Sequence, residues 1–415
     1  MAGNQAAKGF PEIRVPAALT FAGLVLGFVT GLLLQGTDLL TPVLKYGSLA
    51  GTLWLRALQL TILPLVVGLV YTGISQTLAA AGGGTLARRT VGLFLAVLLA
   101  SAIMSALLVP GLLAAIPIPE RAATALSGGL SNAGEVPGFA EVLLAMMPEN
   151  IFASAAAGAM LPIVLFVAVF AVAATRIGEA PSRQLGLFFE GLAGAMMVVV
   201  GWVLKLAPIG VFGLALPLAA TSGSDAIGAL AHYILVVSAA GLVVLLSGFL
   251  LASLLGRQPL GTFVRALVPV YAVAISTQSS LASLPAMLAA NRRLNVREST
   301  SDFVLPLAVA IFRATSPAMN MGVAIYAAYL TNTPLSAWTL GAGALVAVLV
   351  SLSSVSLPGT LSFVVSVGPI ANAMGVPIAP LALLVAVEML PDIMRTLGNV
   401  TMDVAVTTAI DRKRD

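Results

Sequence analysis

The chain has 415 residues, of which 59% are hydrophobic and 9% charged, with a mean hydropathy of +1.06 and a net charge of +4. A soluble protein of this length needs far more charge to cover its surface, so the composition excludes a soluble globular domain and points to a polytopic membrane protein. Cysteine is absent, which excludes disulfides, thiolate metal sites and cysteine catalysis.

A short polar start with Lys8 and Arg14 precedes a first helix over residues 16–37, in which Gly23, Gly27 and Gly31 are spaced for close helix contact. With no Ala-x-Ala cleavage site behind it, this stretch reads as a transmembrane helix rather than a removed signal peptide. A second helix is expected over about 44–75, bent at Pro64, and a third from 90 to about 117 after the loop at Gly82–Gly84 and Arg88–Arg89. Residues 118–150, carrying Glu120, Glu135, Glu141 and Glu149, read as a loop with a partly embedded segment. Helices four (151–175), five (187–220) and six (229–255) follow, with the only histidine, His232, at an interfacial position.

The last third is built differently. Two stretches, 276-STQSSLASLP-285 and 351-SLSSVSLPG-359, place serines beside a proline in apolar surroundings. Each is flanked by apolar segments too short to span comfortably, the pattern of a re-entrant hairpin, whose broken backbone is tolerated only against protein or a cavity. Each hairpin precedes a long helix, so a hairpin-plus-helix unit occurs twice, as in inverted-repeat transporters. Hairpin one is placed at about 260–290, helix seven at 300–330, hairpin two at 334–372 and helix eight at 378–410.

Helix eight carries Glu388, Asp392, Arg395, Asn399 and Asp403. At ~100° per residue these five fall within about 80°, a single polar stripe on a greasy helix. Ionised groups at bilayer depth are costly unless they face partners or a cavity, so the stripe predicts a membrane-embedded site for a charged solute. If the helices alternate and both hairpins re-enter, 14 of the 20 Lys and Arg residues fall on one side. That bias predicts cytoplasmic termini, with hairpin one opening inward and hairpin two outward.

These motifs resemble the dicarboxylate/amino acid:cation symporter family, the glutamate-transporter-like proteins, in its bacterial branch. Asp392, Arg395-Thr396, Asn399-Val400-Thr401 and Asp403 match its eighth-helix pattern; 63-LPLV-66 and 208-PIGVF-212 are similar to its second and fifth helices. The resemblance implies an all-α elevator fold of eight transmembrane helices and two re-entrant hairpins, assembled as a homotrimer in the bacterial inner membrane. Residues 1–255 would hold the scaffold plus helices three and six of the mobile domain, and 256–415 the transport core. Arg395 would hold the distal carboxylate of the solute, Asp392 its ammonium, and Thr396 and Asn399 its polar atoms. Ser279 and Ser280 would form the tip of hairpin one, and Pro358 and Gly359 that of hairpin two. Asp403, with Asn399, would serve a cation, a sodium ion at Asp403 being the one metal implied. No cofactor beyond coupled Na+ or H+, and no nucleic-acid partner, is implied.

The resemblance breaks at helix seven, where sodium-coupled members carry Asn-Met-Asp-Gly-Thr. Anchoring on Pro306 places Phe312, Arg313, Ala314, Thr315 and Ser316 there; anchoring on Asn320-Met321 needs an eight-residue insertion. Either way the aspartate is missing, and under the first alignment Arg313 joins the charged cluster near Asp403 and Glu388. Hairpin one also departs, with Gln278 where many relatives have arginine and Leu281 in place of a serine. The reading is therefore an importer of aspartate or glutamate with fewer coupled sodium ions than sodium-driven relatives. A proton-driven cycle with Glu388 as the titrating group, or a sodium-independent one, stands beside it, as does transport of C4-dicarboxylates or neutral amino acids. A channel fits less well, since opposed hairpins imply gating and nothing repeats like a selectivity filter. An intramembrane enzyme has no nucleophile–base pair to use, and a pump lacks a phosphate-binding loop.

Overall fold

The computed structural model describes residues 17–118, 139–222, 225–353 and 359–412. Lys8, Arg14, Glu120, Glu135, Pro358, Lys413 and Arg414 lie outside them. Among the described residues the protein is all helix, with no strand. In lipid every backbone N–H and C=O must be satisfied internally, which leaves the helix as the way to cross for a chain this apolar.

The first half comprises α1 (Ala17–Leu33), α2 (Leu40–Ala81), α3 (Thr85–Ala115), α4 (Phe139–Met146), α5 (Ile151–Ala156), α6 (Met160–Ala174), α7 (Glu179–Lys205), α8 (Ala207–Ser222) and α9 (Asp225–Leu254). Then come α10 (Leu260–Thr277) and α11 (Leu284–Arg293), α12 (Glu298–Ile311) and α13 (Thr315–Leu330), and α14 (Ala337–Ser353) and α15 (Gly359–Ala373). The short α16 (Leu381–Leu384) and α17 (Met389–Arg412) end the fold. Among the described residues, six helical stretches are long and apolar enough to cross a membrane: Leu40–Ala81, Thr85–Ala115, Glu179–Lys205, Gly228–Leu254, Leu260–Thr277 and Glu298–Leu330. Shorter apolar helices are Ala18–Leu33, Met160–Ala174, Ala207–Pro217 and Ala337–Leu352; helix eight is in neither set, and Leu260–Thr277, read above as part of a hairpin with segments too short to span, is long and apolar enough to cross.

Besides helix seven, three elements expected as single helices are interrupted. The fourth breaks at 157–159, where Gly158 takes a left-handed φ of 70° that suits a residue without Cβ. The fifth breaks at Leu206, two residues before Pro208, which has no N–H for the carbonyl four residues back. The eighth breaks at 385–388, and α17 restarts with Pro391 in its first turn, where a missing N–H costs nothing. Pro64, by contrast, sits inside the unbroken α2.

The glycine spacing in α1 does what it suggests. A Cβ on Gly27 would come 2.7 Å from the Phe212 carbonyl oxygen, and one on Gly31 2.6 Å from that of Leu216, with Gly23 against Pro208 in the same way. Three glycines one turn apart thus let α1 lie backbone-to-backbone on α8. On the other side of α8, the Trp54 indole fills the space over Gly210, and its Nε1 donates to the Val203 carbonyl at 3.0 Å, near the end of α7. Gly27→Leu is expected to cost about 1–3 kcal/mol by overpacking and so lower the melting temperature in detergent. Gly111→Ala, with nothing within 4 Å of the added Cβ, should leave it unchanged.

The α12–α13 stretch forms the centre. Of its most apolar window 72% is buried inside the protein, against 28–50% in the other five long stretches. It is enclosed by α3, α9, α14, α15 and α17.

Candidate functional site

The site forms where the seventh and eighth helices meet. Helix seven ends at Ile311, runs extended at Phe312 and resumes at Thr315. The break therefore falls at Phe312–Ala314, where anchoring on Pro306 places it, whereas Asn320 and Met321 lie inside unbroken α13. Several groups hold the broken backbone. Ser101 and Ser105 of α3 donate to the carbonyls of Ala314 (2.6 Å) and Ala318 (2.7 Å), and Phe94 stacks on Phe312 at 4.2 Å between centroids. From α17, Asn399 Oδ1 accepts both the Thr315 N–H (3.0 Å) and its hydroxyl (2.7 Å). That carbonyl oxygen caps the start of α13, where N–H groups have no partner in their own helix. Gly398 permits the approach, since a Cβ there would clash with Thr315.

Arg395 occupies the middle of this junction and is 2% exposed. Its Nη2 meets Glu388 Oε1 at 2.6 Å, its Nη1 donates to Asp392 Oδ1 at 3.0 Å, and Nη2 also reaches Asn320 Oδ1 at 3.2 Å. Tyr233 of α9 donates its hydroxyl to Glu388 Oε2 at 2.8 Å. The turn at 385–388 brings this about: Glu388 precedes α17 and leans back onto it. Arg313, in the break of helix seven, is buried and within electrostatic reach of Asp392, Arg395 and Asp403. Asp403 is fully buried, and neither of its carboxylate oxygens accepts a hydrogen bond among the described residues.

The five residues of the stripe, Glu388, Asp392, Arg395, Asn399 and Asp403, are all buried, as is Thr396. The hairpin tips are a different matter. Ser280 is buried and Ser279 half-buried in the turn between α10 and α11, where Ser279 Oγ accepts from the Ala282 N–H at 3.2 Å. Pro358 lies outside the described residues; Gly359 begins α15. Tyr233 and Asn320 complete the site without having been singled out for it. Their signal was available, as a lone polar side chain inside an apolar span is a functional marker. His232, read as interfacial, is half-buried, with Nε2 2.9 Å from the Ile116 carbonyl oxygen.

Three buried carboxylates thus lie within electrostatic range of two buried guanidiniums, and a cluster this enclosed can recognise a small anion by exchange of ion pairs. No group of three or more His, Cys, Asp or Glu side chains arranged to hold a metal ion occurs among the described residues.

The pattern of the Sodium:dicarboxylate symporter family matches residues 17–413. The chain belongs to this family. Family membership makes it a multi-pass membrane protein and a cation-coupled secondary transporter of a small anionic solute, not an enzyme. Among similar proteins, the "Proton/sodium-glutamate symport protein" of Bacillus subtilis (strain 168) is 27% identical over 93% of this chain and 89% of its own length. The "Proton/glutamate-aspartate symporter" of Escherichia coli (strain K12) is 26% identical over 85% and 82%. The "C4-dicarboxylate transport protein 1" of Pseudomonas aeruginosa (strain UCBPP-PA14) is 26% identical over 67% and 62%.

Proposed function

We propose that this symporter imports an acidic amino acid, aspartate or glutamate, with Arg395 as the anchor for its distal carboxylate and Asp392 for its ammonium. The observation that carries the reading is the burial of Arg395 between Glu388 and Asp392 at the junction of two broken helices. Thr396, Asn399, Ser279, Ser280, Pro358 and Gly359 complete the substrate site in this proposal. An incoming anion adds negative charge to a cluster that already has more carboxylates than guanidiniums, so a cation must travel with it, either Na+ or H+. The protein works as an elevator of eight spans and two re-entrant hairpins, as a homotrimer in the bacterial inner membrane with both termini inside. Support for placing helices three and six with the mobile core 256–415 comes from packing: α3 lies on α13 and α9 on α17, while α1 lies on α8.

A second reading, C4-dicarboxylate transport, is favoured by one observation. Asp392 is already held by Arg395 at 3.0 Å, with Arg313 in electrostatic range, so its charge has partners before any ammonium arrives. Competition in proteoliposomes separates the two. Acidic amino acid transport predicts that aspartate displaces bound substrate at least ~10-fold better than succinate, because an unneutralised Asp392 repels a second carboxylate. Equal displacement, or preference for succinate, would assign the protein to dicarboxylates and make Asp392 an internal partner of Arg395.

A further inference from the structure

We infer that Arg313 is a built-in cation: its guanidinium, buried at the break in helix seven, supplies the positive charge for the Asp403 region and replaces one ion that would otherwise be carried with the substrate. The inference rests on the symport reading above and extends it to the coupling ion.

The argument starts from Asp403. This carboxylate is fully buried, two turns beyond Arg395 on α17, and its oxygens take no hydrogen bond among the described residues. Thr407, one turn on, donates to the backbone carbonyl of Asp403 at 2.6 Å rather than to its side chain. A carboxylate in such a place needs a positive charge. Arg395 is engaged by Glu388 and Asp392 at the other end of the stripe. The break that holds Arg313 is bonded to α17 one turn before Asp403, through Thr315 to Asn399 and to the Arg395 carbonyl, which leaves the Arg313 guanidinium within electrostatic range of Asp403.

The backbone explains how Arg313 gets there. A residue inside a continuous helix points along the helix face. At Phe312–Ala314 the helix is interrupted, so a long side chain can leave from between the two half-helices. The break is supported by Ser101, Ser105 and Asn399 and does not depend on an ion for its shape. Arg313 is 8% exposed, so its charge is spent inside the protein.

The chemistry sets the consequence. A guanidinium stays protonated and has five donors but no lone pair, so it cannot ligate a metal ion. Within range of Asp403 it supplies the positive charge and repels a second cation. It also moves with the protein, so at this position no ion is carried across.

Melting of purified, substrate-free protein in sodium against choline buffers of equal ionic strength is the test. Wild type and Asp403→Asn should show the same sodium response, because Asp403 does not receive sodium. Arg313→Met, which uncovers the carboxylate, should gain an additional sodium-specific rise of about 2–4 °C. The double variant Arg313→Met/Asp403→Asn should lose that rise. The inference is overturned if wild type shows a sodium-specific rise that Asp403→Asn abolishes, or if Arg313→Met responds to sodium as wild type does. Should Arg313→Met fail to fold, the comparison of wild type with Asp403→Asn still decides. No substrate is present in these melts, so an error in the substrate assignment would leave their outcome untouched.

Discussion

Arg395→Ala is expected to weaken binding of an anionic substrate at least ~100-fold, equivalent to about 2.8 kcal/mol. The side chain is 2% exposed and its two terminal nitrogens face carboxylates at 2.6 and 3.0 Å. Truncating one partner of a buried, hydrogen-bonded charge pair removes about 2–5 kcal/mol of binding. The same change leaves Glu388 and Asp392 facing each other without a counter-charge, a stability loss of about 3–5 kcal/mol. Arg395→Lys keeps the charge and separates the two effects. It should fold but lose the paired geometry, since an ammonium is a point charge rather than a planar fork. Titration of substrate into detergent-purified protein reads both variants. Unchanged affinity for the anion in the folded Ala variant would remove Arg395 from the substrate site.

Glu388→Gln should act in the opposite direction. Glu388 Oε1 sits 2.6 Å from Arg395 Nη2, so a substrate carboxylate that seeks that nitrogen must displace or share it with a charge of its own kind. The amide keeps the volume and can still accept the Tyr233 hydroxyl, while the competing charge is gone. Binding of aspartate or succinate is expected to tighten about tenfold, near 1.4 kcal/mol. Glu388→Ala is not an equivalent change, since it strands the buried Tyr233 hydroxyl, at a penalty of about 1–3 kcal/mol. Weaker binding in Glu388→Gln would identify Glu388 as a positioning group that holds Arg395 for the substrate rather than a competitor for it. Equilibrium titration at constant pH and salt distinguishes these results.

The two predictions draw on different levels of information. That Arg395 lies on one face with Asp392, Asn399 and Asp403 follows from helical periodicity, which needs no structure. Glu388 was placed on the same face by angle, yet it reaches Arg395 from a turn before α17, not from a continuous helix. Anchoring on Pro306 aligned the family's helix-seven motif with Phe312–Ser316, and the structure interrupts the helix at these residues, Arg313 among them. The partners across the site were not. Tyr233 and Asn320 lie 155 and 75 residues from the side chains they contact, and no local pattern encodes a pairing over that separation.

By itself the sequence determined the membrane class, because apolar length and scarcity of charge leave no other solvent for these helices. It also determined the close contact of α1, through three glycines one turn apart, and the polar stripe. Tertiary structure alone decided which prolines interrupt a helix. Pro64, Pro110, Pro269, Pro306 and Pro369 all lie within helices, whereas Pro208 and Pro391 follow breaks by a few residues. Each removes the same N–H, and neighbouring groups determine whether the freed carbonyl can be accommodated in place. Tertiary structure likewise decided how the stripe is partnered: the broken helix seven set Thr315 against Asn399 and Asn320 against Arg395, and Tyr233 came to Glu388 from α9.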